Sequence, residues 1–288
     1  MRWDAGLRLR AVLLAAVVAA PSAVDAASGQ LPLAQSPSMP ELNSGAAAVE
    51  LLPQPAQAPT YTEFALSHAR ETLSNNPNAW SDTQLELLHM FAPRQLLIGR
   101  ATRSERFGLH DNTLGLSGYY PLAEGTTAYV ELTSSDTHRV LARDTLHVQL
   151  AQVLPLGWGV LGGLRHMNYN TTAVDIADLT LERYFSDYRI AFTAYPSRSQ
   201  VAGNAISYRL QFSRYYGEEN NIQLIMVRGT EVDKPTGIDS VLATSVRSAA
   251  LFGRHWLTRN LGLAYSIGYT VQRESTRRAV NLGLRYRF

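Results

Sequence analysis

The chain has 288 residues, a net charge of +2 at pH 7 and no cysteine. This length allows one large β domain or two smaller domains, and the arginines interleave with acidic residues, so no basic stripe of the kind that binds nucleic acid is present. The lack of cysteine excludes a disulfide scaffold, a thiol nucleophile, a thiolate metal site and a lipidated N-terminal cysteine.

The N-terminus has the pattern of a secretory signal peptide. Three arginines among the first ten residues precede a short apolar run over residues 11–20, and Val24-Asp25-Ala26 offers small residues where a signal peptidase reads. An uncleaved membrane anchor is the alternative, but the apolar run is too short to span a bilayer. We predict a signal peptide over residues 1–26 with cleavage after Ala26.

Residues 27–60 are rich in proline, alanine, glutamine and serine. Such a composition cannot bury a core and favours an extended chain. We predict a disordered periplasmic linker here.

Beyond residue 60, apolar and polar residues alternate in short runs, as expected for strands with one face toward lipid and the other toward water. The runs predict an all-β fold, a closed antiparallel transmembrane β-barrel over residues 61–288. We predict fourteen strands, an even number that brings both ends of the barrel to the periplasm, with twelve as the fallback. The predicted strands cover residues 61–70, 83–91, 95–103, 112–121, 126–134, 145–153, 157–167, 174–183, 187–195, 205–213, 221–229, 241–251, 260–272 and 279–288.

The final strand carries the clearest signal. One face of it is apolar and ends in an aromatic residue, while the other holds Asn281, Gly283, Arg285 and Arg287. We interpret the apolar face as the signal for the barrel-assembly machinery of the outer membrane of a Gram-negative bacterium. Its members are Val280, Leu282, Leu284, Tyr286 and Phe288.

Three further features favour this strand map. Prolines beyond residue 60 fall in predicted connections or at strand ends, as a closed hydrogen-bonded ladder requires. Aromatic residues gather near the predicted periplasmic ends, where a girdle is expected; aromatic residues packed in a soluble β-sandwich core would not gather at one end. Short connections alternate with long ones, and we expect the long ones to be outer loops. The predicted long connections are residues 73–82, 104–111, 135–144, 196–204 and 229–240.

The predicted inner face carries many charged residues. An arginine on the lipid face costs roughly 2–4 kcal/mol at mid-depth, so we place these residues toward the lumen. The candidates for lumen lining are Arg165, Arg189, Arg209, Arg247, Arg285, Arg287, Glu131 and Glu182. Two interpretations remain open: a polar conduit in which arginines guide an anionic or sugar-like solute, or mutual ion pairs that brace or plug a closed lumen.

A search for catalytic and cofactor motifs gives little. The seven histidines are scattered and no thiol exists, so we predict no metal, no other cofactor and no catalytic residue. The run from Gly157 to Gly162 matches a dinucleotide fingerprint by letter, but it opens a predicted membrane strand rather than a helix. His166 is the one candidate for a lipase-like rim site, and it would need a serine beside it.

The chain resembles the YaiO-like family of outer-membrane β-barrels, from about residue 60 to its end. Ser186 departs from the pattern, because a glycine is expected before Asp187. The resemblance implies an outer-membrane barrel without an assigned enzymatic activity, and it suggests a role in polysaccharide export or envelope structure. It rests on an ordered series of motifs: Arg103-Ser-Glu-Arg106-Phe-Gly108, Tyr119-Tyr-Pro-Leu122, Thr127-Ala-Tyr129, Gly162-Gly-Leu-Arg165, Arg183-Tyr-Phe-Ser-Asp-Tyr188, Arg214-Tyr-Tyr216 and Leu284-Arg-Tyr-Arg-Phe288.

Three functions therefore stand beside one another. A role in envelope structure or exopolysaccharide export is our leading hypothesis, a passive solute channel is the alternative, and a lipid-modifying enzyme ranks last. The expected partners are outer-membrane lipids including lipopolysaccharide, the barrel-assembly machinery and a polysaccharide, with no nucleic acid. Whether Arg165, Arg209, Arg247 and Arg285 line a hole or close upon acidic neighbours distinguishes a conduit from a braced barrel.

Overall fold

The computed structural model of the protein describes residues 60–217, 219–233, 241–273 and 275–288. The predicted signal peptide, its cleavage site after Ala26 and the predicted linker up to residue 59 lie outside these residues. The fourteen strands are β1 Tyr61–Leu73, β2 Asn76–Ala92, β3 Gln95–Arg106, β4 Leu109–Ala123, β5 Thr126–Ser135, β6 Asp144–Val153, β7 Trp158–Asn168, β8 Ala173–Phe185, β9 Tyr188–Ser199, β10 Gly203–Tyr216, β11 Asn220–Asp233, β12 Leu242–Trp256, β13 Leu261–Gln272 and β14 Thr276–Arg287.

The sheet closes on itself. Each strand pairs antiparallel with the next along the chain, and β1 pairs with β14 from Glu63↔Arg287 to Leu73↔Arg277. The predicted closed barrel of fourteen strands is confirmed. No helix in the described ranges is long and apolar enough to cross a membrane. By the usual arrangement of bacterial barrels, the rim where β1 begins and β14 ends is periplasmic, and we call the opposite end the outer rim.

The alternation of side chains places apolar residues outside and polar residues inside. On β14, Val280, Leu282 and Leu284 are 58%, 58% and 54% exposed, whereas Asn281 and Arg285 are each 3% exposed. This is the reverse of a soluble protein, in which apolar side chains are buried and charged ones meet water. The apolar face suits contact with acyl chains.

The predicted alternation of short and long connections is wrong for most of the outer rim. Strand β2 has 17 residues and is joined to β1 at the outer rim by a connection of only residues 74–75, although a loop over 73–82 was predicted. The predicted loop over 104–111 is likewise reduced to residues 107–108. Hydrogen bonding between backbones needs no apolar side chain. The strands therefore stay paired above the membrane, where their side chains no longer alternate between apolar and polar.

Pro196 also contradicts the expectation that prolines lie in connections or at strand ends. It lies within β9, opposite Ile206 of β10. On its other side the pairing with β8 is interrupted between Ile176↔Ser197 and Leu179↔Ala194. Because proline has no N–H to donate, the ladder is broken at this point rather than ended.

Ser186 lies in the two-residue turn between β8 and β9. Its φ of 51° is in the left-handed region, which favours glycine. The turn therefore has the conformation that a glycine before Asp187 would adopt without strain.

Candidate functional site

Six of the eight predicted lumen-lining residues lie on the inner face and are buried. Their exposed fractions are 3% for Arg165, 5% for Arg189, 9% for Arg209, 3% for Arg285, 1% for Glu131 and 1% for Glu182. Arg287 lies at the periplasmic rim and is partly exposed. We call these seven side chains, together with the charged side chains that contact them, the inner-wall network.

At the periplasmic end, the network links four neighbouring strands. Arg285 of β14 donates a hydrogen bond to Glu63 of β1, and another of its nitrogens lies 3.6 Å from an oxygen of Glu86 on β2. Arg100 of β3 then donates to Glu86 over 2.8 Å. Two carboxylates and two arginines thus alternate along one chain of contacts, Glu63–Arg285–Glu86–Arg100, and each charge has an opposite charge beside it.

Arg287 extends this group across the periplasmic rim. Its guanidinium donates to Glu219, in the turn between β10 and β11, and lies 3.9 Å from the ring centre of Tyr61 and 4.3 Å from that of Trp256. Burial raises the pKa of Glu219, but the hydrogen bond and charge of Arg287 outweigh it, so the pKa lies below its ordinary value. This turn therefore reaches inward from β10 and β11 to the end of β14.

In the middle of the wall, His147 lies between two carboxylates. Its Nε2 is 2.8 Å from Asp178 Oδ1, and its Nδ1 is 3.1 Å from an Nη atom of Arg165, which also lies 3.4 Å from Glu131. Tyr129 donates its hydroxyl hydrogen to Glu131 over 2.6 Å. A guanidinium can only donate, so Nδ1 is the acceptor in the contact with Arg165, and it also lies 3.5 Å from Glu131, while Nε2 faces Asp178.

Two glycines of β7 make room for inner-wall carboxylates. A Cβ on Gly163 would lie 2.5 Å from Asp178 Oδ1, and a Cβ on Gly159 would lie 2.8 Å from Glu182 Oε1. Because Gly163 has no Cβ, the Asp178 carboxylate fits beside it, where it binds His147 and also accepts a hydrogen bond from Gln149 over 2.6 Å. Sequence reasoning missed Asp178 and Gly163 as members of the site; the Gly162-Gly163 pair inside a predicted strand was the available signal.

The remaining ion pairs follow the same rule. Arg189 lies 2.6 Å from Glu182, and Arg277 lies 3.2 Å from Glu71. Arg209 lies 5.4 Å from the ring centre of Tyr195. Both ion pairs join adjacent strands. The contacts around His147 join strands that are adjacent or separated by one strand. Apart from Arg287–Glu219 at the rim, the contacts of the inner-wall network therefore run along the wall and neutralise the charges that they join.

The outer rim carries a connection that folds inward. Asp111 of β4 accepts hydrogen bonds from the backbone N–H groups of Arg139, Val140 and Leu141 at 2.9, 2.8 and 2.9 Å. Val140 and Leu141 are consequently 4% and 1% exposed. Ala142 joins an apolar cluster formed with Met167, Val174, Ile176, Tyr195, Val232 and Val241. The connection of residues 136–143 thus covers part of the outer mouth.

The placement of Arg247 in the lumen is wrong. Arg247 is exposed and lies on the outer face of β12, directly opposite Arg228 of β11, which is also exposed. The inner face here is apolar, formed by Ile225, Val227, Val246, Ala250 and Phe252. The lipid-face penalty used to place Arg247 inside is largest at mid-depth and falls to about 0–1 kcal/mol near the membrane surface, and Arg247 lies high on its strand.

His166, the one candidate for a lipase-like site, lies exposed on the outer face of β7. Its Nδ1 is 2.6 Å from Asp175 Oδ1, and its Nε2 is 3.1 Å from Asn168 Oδ1. Both ring nitrogens therefore have partners, and neither partner is a serine. Within the described residues, no three His, Cys, Asp or Glu side chains form a group that could hold a metal ion.

The model of the YaiO membrane beta barrel domain matches residues 61–234. The chain belongs to this family. The family resemblance expected from the sequence is confirmed over this range, which covers β1 to β11. A search of curated proteins matches none.

Solved structures share the fold. The CymD monoaromatic hydrocarbon channel is 11% identical, with 86% of this chain and 91% of that chain covered and a TM-score of 0.50. Omp33 from Acinetobacter baumannii is 11% identical over 81% of this chain and 100% of that chain, with a TM-score of 0.48. The anion-selective porin from Comamonas acidovorans is 10% identical over 81% and 100%, with a TM-score of 0.42. The YaiO-family chain is thus an outer-membrane β-barrel.

Proposed function

We propose that this barrel is a non-enzymatic component of the cell envelope, which acts in envelope structure or exopolysaccharide export rather than as an ion-selective diffusion pore. The inner-wall network carries this proposal. An anion-selective pore needs cationic side chains that are free to meet the solute, whereas Arg165 and Arg285 contact Glu131 and Glu63.

The cost of separating these pairs supports the proposal. Removal of one partner from a buried ion pair typically costs about 3–5 kcal/mol, because it leaves a charge buried without compensation. To bind Arg285, a passing solute would have to replace its ion pair with an interaction of comparable free energy. Arg285 is only 3% exposed. The inward turn at Glu219 and the inward connection of residues 136–143 further narrow the two mouths.

The route to the membrane belongs to the same proposal. The signal peptide is removed after Ala26, and the barrel-assembly machinery recognises the apolar face of β14 from Val280 to Phe288. Lipopolysaccharide is the lipid partner, and a secreted polysaccharide is the expected cargo or ligand in the export role.

Planar bilayers and a deletion strain test this function together. We expect the purified protein to give no steady open channel of porin size, and we expect the deletion to change either outer-membrane permeability to large antibiotics or the amount of secreted exopolysaccharide. A permeability change alone identifies envelope structure, and a polysaccharide change alone identifies export. A large, stable, anion-selective conductance would contradict the proposal.

A passive channel is the second candidate, and the direction of the ion pairs favours it. Apart from Arg287–Glu219 at the periplasmic rim, they run along the wall rather than across the lumen, and fourteen strands enclose more space than an eight-stranded barrel, whose interior side chains just fill it. Such a channel would conduct weakly and with little charge selectivity, because most of its wall charges are paired. A small unselective conductance in the bilayer experiment would identify it.

A further inference from the structure

Four exposed arginines form an arc on the outer face of the barrel. They belong to β1, β14, β12 and β11, and an exposed tyrosine occupies the matching place on β13 and on β10. We call this set the arginine arc. Its members are Arg70, Arg278, Tyr269, Arg247, Arg228 and Tyr208.

All members lie at the same height. Arg70, Arg278 and Arg247 are nine residues from the periplasmic ends of their strands, which are Tyr61, Arg287 and Trp256, and the other three members are eight residues from theirs. With a rise of about 3.3 Å per residue and a tilt of about 40°, this places the arc roughly 20–23 Å above the periplasmic ends. The apolar band of such a barrel is about 25 Å tall. The arc therefore lies near the upper boundary of the acyl chains.

The strand registers bring the members together. Arg228 lies directly opposite Arg247 on one side and Tyr208 on the other. Arg278 lies opposite Tyr269. Side chains directly opposite each other on one face have Cβ atoms about 4.5–5.5 Å apart, and like charges in this position destabilise the sheet. An anion between Arg228 and Arg247 would remove this repulsion.

The arc has no acidic partner within the described part of the chain. None of its arginines makes an ion pair there, and no outward-facing residue described on β10 to β14 or β1 is acidic. Elsewhere on the surface the pattern differs: Arg103 lies 3.0 Å from Glu105, Arg143 lies 2.7 Å from Asp144, and His166 pairs with Asp175. Unpaired positive charge at this height is thus concentrated on one side of the barrel.

We propose that the arginine arc binds the phosphate groups of lipopolysaccharide in the outer leaflet. Guanidinium groups bind phosphate oxygens through two parallel hydrogen bonds, and tyrosines suit the boundary between headgroups and acyl chains. The phosphates of this lipid lie just above its acyl chains, at the height of the arc. The site is independent of whether the barrel conducts, exports or only supports the envelope.

Lipid binding to the purified protein tests the site. Native mass spectrometry would compare lipid A that carries its phosphates with the same lipid after their removal. We expect wild type to prefer the phosphorylated lipid by at least tenfold and Arg228→Gln/Arg247→Gln to lose that preference, because each lost charge-assisted contact lowers affinity about tenfold. Arg70→Gln/Arg278→Gln gives a second, independent pair should the first fail to fold.

The control is Arg183→Gln/Arg214→Gln, which removes two exposed arginines from the outer face at the periplasmic end. We expect it to keep the preference. Equal binding of both lipids by wild type would overturn the proposal, as would an equal loss in the control. Displacement of the lipid by millimolar inorganic phosphate would identify a site for free anions instead, and equal binding of phosphatidylglycerol would show no selection for lipopolysaccharide; either result would also overturn it.

Discussion

Gly163→Ala tests whether the inner-wall network depends on the space that this glycine leaves. The added Cβ would lie 2.5 Å from Asp178 Oδ1, 2.8 Å from Oδ2 and 2.9 Å from Cγ, so the carboxylate must move. Movement breaks its hydrogen bonds with His147 and Gln149, which are 2.8 and 2.6 Å long. Hydrogen bonds to charged groups contribute about 1.5–3 kcal/mol each, and replacement of glycine within a strand returns roughly 0.5–1 kcal/mol. We expect a net loss of roughly 2–5 kcal/mol.

The assay is equilibrium unfolding in detergent or lipid, followed by tryptophan fluorescence and by the heat-dependent gel shift of folded barrels. Gly162→Ala is the matched control, because its Cβ would meet only Leu179 Cδ2 at 3.8 Å, an ordinary contact. In an Asp178→Ala background, Gly163→Ala should cost less than about 1 kcal/mol, since the colliding group is absent. Equal effects of Gly162→Ala and Gly163→Ala, or an undiminished cost in the Asp178→Ala background, would refute the reasoning.

Three further predictions concern single side chains. Arg285→Ala should lower the free energy of unfolding by up to about 3–5 kcal/mol, measured by the same assay, because the buried Glu63 loses its nearest cation, while Glu86 keeps Arg100. Arg247→Leu should change stability by less than about 1 kcal/mol, as expected for an exposed outer-face position near the membrane surface; a loss as large as that of Arg285→Ala would place Arg247 in the network. The pKa of Glu219 is lowered by Arg287 in the folded state, so its contribution is present above the ordinary pKa of 4.5 and is lost as the pH falls below that value. The melting temperature of wild type should therefore exceed that of Glu219→Gln at pH 7 and approach it near pH 3; an equal gap at both pH values would exclude the contact.

The position of charged groups shows where sequence reasoning succeeds and where it stops. Glu131 and Arg285 could be placed inside because each lies in a run of alternation, in which the opposite face is clearly apolar. Arg247 could not, because alanine, serine and valine surround it and neither face is distinct. The free-energy cost of an arginine on the lipid face is also smaller near the membrane surface, where Arg247 lies.

The strand ends illustrate a second limit. The outer half of β2, from Asn76 to Asp82, contains no apolar alternation, so its sequence is typical of a loop. It is a strand because β1 and β3 on either side offer paired backbone groups, as in Trp80↔Glu71 and Asp82↔Ser104. Backbone hydrogen bonding depends on the two neighbouring strands and not on side-chain alternation within the segment itself.

By itself, the sequence determined that the chain forms a closed membrane barrel and which face of most strands meets lipid, and it favoured fourteen strands over twelve. It could do so because one face of a membrane strand must be apolar and the other polar, and successive residues of the sequence show this alternation directly. The partners within the inner-wall network were decided only by the tertiary structure. The contact of Asp178 with His147 depends on the register of β6, β7 and β8 and on the space beside Gly163, and the arginine arc depends on the order of six strands around the barrel.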